Sequence, residues 1–328
     1  MLKIKNPLVS VLIISFNEKN RLSKILNSFK KISYPAYEII VCDNASVDGS
    51  DEYVKKNYPD VKFIKSHKNI GTAVYNLALP LCKGKYILFI ANDMLLENNS
   101  ISELVKVLEE NPNALQSAPK LLDFDGKPSV NACNFSRSFF GIDIRSDKLG
   151  DKTREIPHIG TGLIRKSSLK KIGGVIYDPD YFLYNEDMDL GLRIRLAGMK
   201  TLWCPTAIVK HGKPTTTIRT WSRHYLTFLA QRNSLITYFK TCSLYSLLLF
   251  FPYVLLVRFL LIMRDLSIFH FSNAFARLKA LSWFFTHPSY LLGKRIENQK
   301  IRKVPDSYVF AMANEWKFLI SLFSWGER

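Results

Sequence analysis

Between Leu8 and Ile90 short β-rich runs alternate with segments of helical period, and no other feature of the chain restricts its fold as strongly. The runs are Leu8–Ile14, Tyr37–Cys42, Val61–Ile64 and Tyr86–Ile90. Between them, Arg21 to Ile32 places Leu22, Ile25, Leu26 and Phe29 on one helical face. Ser50 can N-cap a short helix that ends at Tyr58-Pro59, and Thr72 to Leu81 has helical spacing. Strands alternating with helices at this pace predict βαβ units and a doubly wound, mostly parallel sheet. Ser100 with Glu103 predicts a capping box for a helix that stops before Asn111-Pro112. From Asp123 to Pro157 the pattern dissolves into Gly, Ser, Asp and Arg, which predicts loops. Order returns at Ile159–Ile164, in a helix from about Asp187 to Leu196, and in strands near Thr201–Trp203 and Ala207–Val209.

Three acidic islands fall where such a sheet holds its ligands, at the carboxyl ends of strands. They are Asp43-Asn-Ala-Ser-Val-Asp-Gly-Ser50, Asn92-Asp93 and Glu186-Asp187-Met-Asp189. Together they point to a sheet edge gathering carboxylates around a phosphate-bearing, metal-bound ligand. Ser15-Phe-Asn-Glu-Lys-Asn20 lacks the G-x-G-x-x-G turn of dinucleotide-binding folds, which argues against a nicotinamide dehydrogenase.

The last third differs in kind. Thr241 to Val257 carries no charge, contains Pro252 and is closed by Arg258. Phe259–Met263 and Leu281–Phe285 are also apolar, with Arg264, Arg277, Lys279, Lys294 and Arg295 nearby. Net charge is +18, and from Arg219 onward 15 Lys/Arg stand against 5 Asp/Glu. Apolar faces beside Lys and Arg describe helices lying in a membrane interface; the alternative is a helical subdomain packed on the main core. The basic excess is mixed with long apolar runs rather than polar helices, so no nucleic-acid partner is expected. The five cysteines have neither metal spacing nor disulfide rhythm and read as reduced thiols. A strand begins within about ten residues of Met1, so no signal peptide is expected. The division expected is residues 1–218 as catalytic domain and 219–328 as helical, membrane-associating region, at the cytoplasmic face of the cell membrane.

These motifs, in this order, resemble the family 2 glycosyltransferases of GT-A fold over about residues 7–215, with a flavour similar to the rhamnosyltransferase branch. The resemblance rests on Val9–Asn17, Asp43–Ser50, Asn69-Ile-Gly71 with Asn76, Gly160-Thr-Gly162, Gly173-Gly174, Tyr181–Tyr184, and Glu186-Asp187 with Asp189-Leu190, Arg193 and Gly198. It implies an inverting transferase moving a sugar from a UDP- or dTDP-sugar, dTDP-rhamnose among them, to a hydroxyl of a polyprenyl-linked or surface glycan. It implies donor contacts from Ser15, Phe16, Asn17, Asp43, Asn44, Asp48, Asn69, Gly71, Asn92, Asp93 and Arg193. Asp187 would be the general base, with Glu186 placing acceptor or donor sugar. Asp93 and His211 would hold Mg²⁺ or Mn²⁺, and Lys210 and Lys213 would assist the leaving group. The family's acid-x-Asp pair is incomplete, because Ala91 stands at the first acid. A degenerate relative that binds nucleotide or lipid without transfer is the competing reading. Each residue also has a plain structural role: Asp43 as a turn former, and Asp189–Arg193 as an i,i+4 ion pair.

Overall fold

The computed structural model describes residues 6–128, 135–137, 143–145, 150–212 and 220–312. By compactness the chain forms two units, one of residues 1–133, 149–182 and 199–214, the other of residues 134–148, 183–198 and 215–328. The boundary expected at 218/219 lies outside the described residues, and compactness groups the segment 183–198 with the C-terminal helices.

The first unit is built on a mixed sheet. Its strands are β1 (Val9–Ser15), β2 (Tyr37–Asp43), β3 (Lys62–Lys65), β4 (Tyr86–Ala91), β5 (Met94–Leu96), β6 (Ala114–Leu122), β9 (Arg154–Ile156), β10 (Gly162–Arg165) and β11 (Lys200–His211). The short strands β7 (Phe135–Arg137) and β8 (Asp143–Arg145) pair with each other and belong to the second unit. The sheet order is β3-β2-β1-β4-β10-β6-β11-β5, with β9 beside β11. β3, β2, β1 and β4 are parallel, whereas β10 runs antiparallel between β4 and β6. The apolar runs form the centre of the sheet because strands covered on both faces need no polar side: Val11, Leu12 and Ile13 have no exposed surface. α1 (Lys19–Ser28), α2 (Ser50–Asn57), the single turn α3 (Tyr75–Ala78) and α4 (Ser100–Glu110) connect the strands.

Five local expectations change. The helix expected over 72–81 is one α-turn flanked by 3₁₀ segments, since Gly71 begins it in a left-handed conformation and Pro80 interrupts it. The capping box of α4 does not form, because Ser100 Oγ donates to the Ile208 carbonyl and Glu103 accepts from Thr206. The two strands expected at 201–209 are one, β11, with a register shift between Cys204 and Ile208. β6 is a strand absent from the sequence reading, and its Gln116 and Ser117 are buried yet bonded to Thr161, Thr201 and Leu104. The loops expected over 123–157 give way, among the described residues there, to the strands β7, β8 and β9; much of the rest lies outside the described residues.

The second unit holds α5 (Glu186–Leu196), α6 (Arg223–Thr241), α7 (Leu244–Ser267), α8 (Phe271–Thr286), α9 (Pro288–Lys300) and α10 (Asp306–Val309). Ser222 and Ser243 cap α6 and α7 through their hydroxyls. α7 is the one described helix long and apolar enough to cross a membrane, with mean hydropathy 2.3 and 28% of its most apolar window buried. Leu248, Tyr253, Leu256, Phe259, Leu260 and Met263 are exposed along one face, at helical spacing. The opposite face carries Leu247, Val254, Arg258, Ile262 and Asp265, all buried. There Arg258 donates to Gln231 and Ser234 of α6, and Asp265 pairs with Arg277 of α8.

Candidate active site

In the sheet unit, the carboxyl ends of β1 and β2 are tied into one loop cluster. Asp43 is fully buried, and both its oxygens accept from Ser46, one from the backbone N–H at 2.8 Å and the other from the hydroxyl. Burial pushes its carboxyl above the usual range, and the Ser46 hydrogen bonds oppose that rise. Asn17, at φ +49°, donates its N–H to Ser46 Oγ and accepts from Val47 N–H. Asp48 accepts from Lys19 N–H at 2.8 Å and from Ser50, which holds its carboxyl below the usual range although partial burial works the other way. Ser15 is buried, its hydroxyl lacks a hydrogen-bond partner, and Phe16 is half-buried beside it.

Asn44 links this cluster to the next. Its amide donates to the Gly71 carbonyl at 2.9 Å and accepts from Ile70 N–H at 3.1 Å, while Asn69 accepts from Gly71 N–H. Gly71 has φ +65°, and a Cβ there would collide with the Phe182 carbonyl, so no other residue fits without backbone movement. Asn76 anchors the following segment by donating to the Tyr177 carbonyl at 2.7 Å.

Asn92 and Asp93 form the turn between β4 and β5, both half-buried. Asp93 Oδ1 is buried without a hydrogen-bond partner and lies 3.6 Å from His211 Nε2, while Arg21 stands 3.9 Å from Oδ2. Burial raises the Asp93 pKa, opposed by His211 and Arg21. β11 delivers His211 by pairing with Met94. Among the described residues no group of three or more His, Cys, Asp or Glu could hold a metal ion. A carboxylate oxygen left unbonded and facing an imidazole nitrogen fits a hard cation with two protein ligands. Its remaining positions would fall to phosphate and water. Lys210 stands 4.0 Å from Glu97, and Lys213 lies outside the described residues.

The remaining acids belong to the helical unit. Glu186 and Asp187 open α5, after Tyr184 and Asn185 at φ +66° and +70°. Asp187 accepts from Met188 N–H at 2.8 Å. Glu186 Oε2 is buried without a hydrogen-bond partner. Burial, reinforced by the Asp187 charge, pushes its pKa up to about 8. For Glu186 desolvation outweighs the helix N-terminal dipole and favours the protonated form. Asp189 points inward: it has no exposed surface and meets both Arg193 Nε and Lys240 Nζ at 2.8 Å. The i,i+4 pairing of Asp189 with Arg193 is therefore present, and Arg193 is itself buried. Sequence reasoning missed Ser46, Arg21, Lys240 and Asn233. The last of these donates to the carbonyls of Leu183 and Tyr184 at 2.9 and 2.8 Å. Its partners are backbone atoms some fifty positions away, and no periodicity marks such a contact.

Comparison with known proteins decides the family. Residues 10–173 match the sequence profile described as Glycosyl transferase family 2. The chain belongs to this family. It is a glycosyltransferase with a GT-A fold. It is 24% identical over 261 residues to the N-acetylglucosaminyl-diphospho-decaprenol L-rhamnosyltransferase of Mycobacterium tuberculosis, covering 68% of this chain and 84% of that one. Among solved structures it is similar to the mannosyltransferase PcManGT from Pyrobaculum calidifontis in complex with GDP-Man and Mn²⁺. The TM-score is 0.51 at 15% identity, over 90% of this chain and 88% of that one. It is also similar to GalNAc-T7 with UDP, GalNAc and Mn²⁺, at TM-score 0.56 and 18% identity, over 70% of this glycosyltransferase but only 47% of that chain. Those likenesses establish the fold.

Proposed function

We propose that this glycosyltransferase moves a deoxyhexose or hexose, with inversion, from a dTDP- or UDP-sugar to a hydroxyl of a polyprenyl-diphosphate-linked glycan at the cytoplasmic membrane surface. What supports this reading is the carboxyl pair at the start of α5, where burial and the Asp187 charge raise the Glu186 pKa to about 8 and Asp187 accepts a hydrogen bond from Met188 N–H. Two neighbouring acids whose environments separate their protonation states divide into a hydrogen-bond donor and a base. Asp187 takes the acceptor hydroxyl proton as its oxygen attacks the anomeric carbon. The bond from that carbon to the diphosphate oxygen breaks on the opposite face, and the nucleoside diphosphate leaves with the electron pair. Neutral Glu186 donates a hydrogen bond to a sugar hydroxyl.

Donor binding belongs to the loop cluster of Ser15, Phe16, Asn17, Asp43, Asn44, Asp48, Asn69 and Gly71. Phe16 covers the pyrimidine, and Asn92 faces the sugar. Ser46 takes one acceptor site on each Asp43 oxygen, and a second site on either oxygen would accept the pyrimidine N–H. Arg193 contributes by fixing Asp189 and hence α5. Asp93 and His211 would hold Mg²⁺ or Mn²⁺, which supplies charge neutralisation at the diphosphate when bound. The Mycobacterium tuberculosis relative, named for a diphospho-decaprenol acceptor, supports a lipid-linked substrate, and the exposed apolar face of α7 supports membrane association.

The test is a thermal shift of the detergent-solubilised chain with UDP, dTDP, GDP and CDP, each with and without Mn²⁺ or Mg²⁺. Ligand at about 100 times its Kd adds roughly 2.7 kcal/mol of stability. A metal-dependent shift with a uridine or thymidine diphosphate is expected. No shift with any of the four, or a shift with GDP alone, contradicts the donor assignment.

A further inference from the structure

Tyr184 and Asn185 hold left-handed backbone conformations immediately before Glu186 and Asp187. For a bulky residue such as Tyr184 this costs about 1–3 kcal/mol, and it persists only where surrounding contacts impose it. The described contact that imposes it comes from α6. Asn233 has no exposed surface, and its amide nitrogen donates to both the Leu183 and Tyr184 carbonyls. Its amide oxygen is taken by Arg232, through Nε at 2.9 Å and Nη2 at 2.8 Å, which fixes the nitrogen toward the loop. The Arg232 guanidinium lies over the rings of Phe228 and of Trp283 on α8. Two helical turns further along α6, Lys240 meets Asp189 one turn into α5. One helix thus grips α5 on both sides of the carboxyl pair.

We propose that Asn233 is a positioning residue for transfer: by holding the Leu183 and Tyr184 carbonyls it sets the direction in which Glu186 and Asp187 leave the loop. The proposal rests on the reading of Asp187 as base. Asn233 makes no substrate contact; its effect passes through the backbone of the loop. Misplacing a base by about 1 Å costs on the order of 10²-fold in rate. Losing Asn233 therefore lowers kcat and leaves donor affinity alone.

The test uses the full chain in phospholipid nanodiscs, with dTDP-rhamnose and N-acetylglucosaminyl-diphospho-decaprenol as substrates. Asn233→Ala is compared with Asn233→Asp, which keeps the shape and the Arg232 partner but has no amide donor. The control is Asn111→Ala, which also loses an amide bond to a backbone carbonyl, that of Val107 on α4, and touches neither α5 nor α6. Both Asn233 variants are expected to lower kcat about 10- to 100-fold, with KM for dTDP-rhamnose within about twofold. Amide exchange at residues 184–188 should rise about tenfold or more, a readout that needs no substrate. Asn111→Ala should lower Tm while kcat stays within about twofold. Unchanged exchange in the Asn233 variants, unchanged kcat, or a parallel kcat loss in Asn111→Ala overturns the proposal. Asp187→Asn separates the two ideas. If it is inactive while Asn233→Ala is fully active, only the positioning role falls; if it keeps full turnover, the base assignment falls and the positioning role with it.

Discussion

In the sheet unit Val11, Ile13, Leu88 and Ile90 lie inside, while Lys62–Glu38 and Lys85–Glu109 pairs stand at the surface. In the helical unit the inner face of α7 buries Arg258 and Asp265 against partners beside Leu247, Val254 and Ile262, and the other face exposes Leu248, Phe259 and Leu260. An exposed apolar face of this kind marks an interaction surface, which the charged pairs at the surface of the sheet unit do not. Carboxylates divide in the same way in both units. Asp43, Asp48 and Asp189 are bonded or paired, whereas Asp93 and Glu186 each keep a buried oxygen without a hydrogen-bond partner. Bonded acids shape a loop; an unpartnered one beside a second acid is available for chemistry.

This contrast can be broken in several places. The largest effect on stability is expected from Asp189→Ala, which removes the buried carboxylate that Lys240 and Arg193 both meet at 2.8 Å and costs about 3–5 kcal/mol. Denaturant unfolding followed by tryptophan fluorescence measures it, and a cost under about 1 kcal/mol would show that the triad is solvated. Next is the outer face of α7. Phe259→Ser or Leu260→Ser removes about 1.5–3 kcal/mol of apolar burial, so partition onto anionic vesicles should fall roughly 10- to 100-fold per substitution. Unchanged flotation would mean that this face meets protein instead. Gly71→Ala should destabilise the sheet unit by about 1–3 kcal/mol, because its φ is left-handed and its Cβ has no room beside Phe182.

A further test is a pH dependence. The folded pKa of Glu186, about 8, lies above the ordinary value of 4.5, so the folded state binds more protons than the unfolded one between these pH values. Stability from this group is full below pH 4.5 and declines as pH rises toward 8. Glu186→Gln should flatten that decline in a Tm series. An unaltered slope would place the titration elsewhere.

How far the sequence revealed this depended on what each element is buried in. β1, β2 and β4 were legible because strands covered on both faces read as unbroken apolar runs. β6 was not, since Gln116, Ser117 and Pro119 break its run and are accommodated only by partners on β10, β11 and α4. The Asp43 and Asp93 strand ends were legible from abrupt polarity at the end of apolar runs. The inward turn of Asp189 toward Lys240 was not, because the pair is separated by 51 positions that carry no pattern. The apolar character of α7 was plain in composition; which face carries its charges required the positions of Gln231, Ser234 and Arg277.

The most direct test of the transferase assignment is sugar transfer by Asp187→Asn beside the wild-type chain, with donor binding measured on the same preparations. A general base contributes typically 10²–10⁴-fold, so turnover should fall by about that factor while donor Kd stays within about twofold. Wild-type transfer rates in Asp187→Asn would contradict the assignment of the base and the division of labour between Glu186 and Asp187.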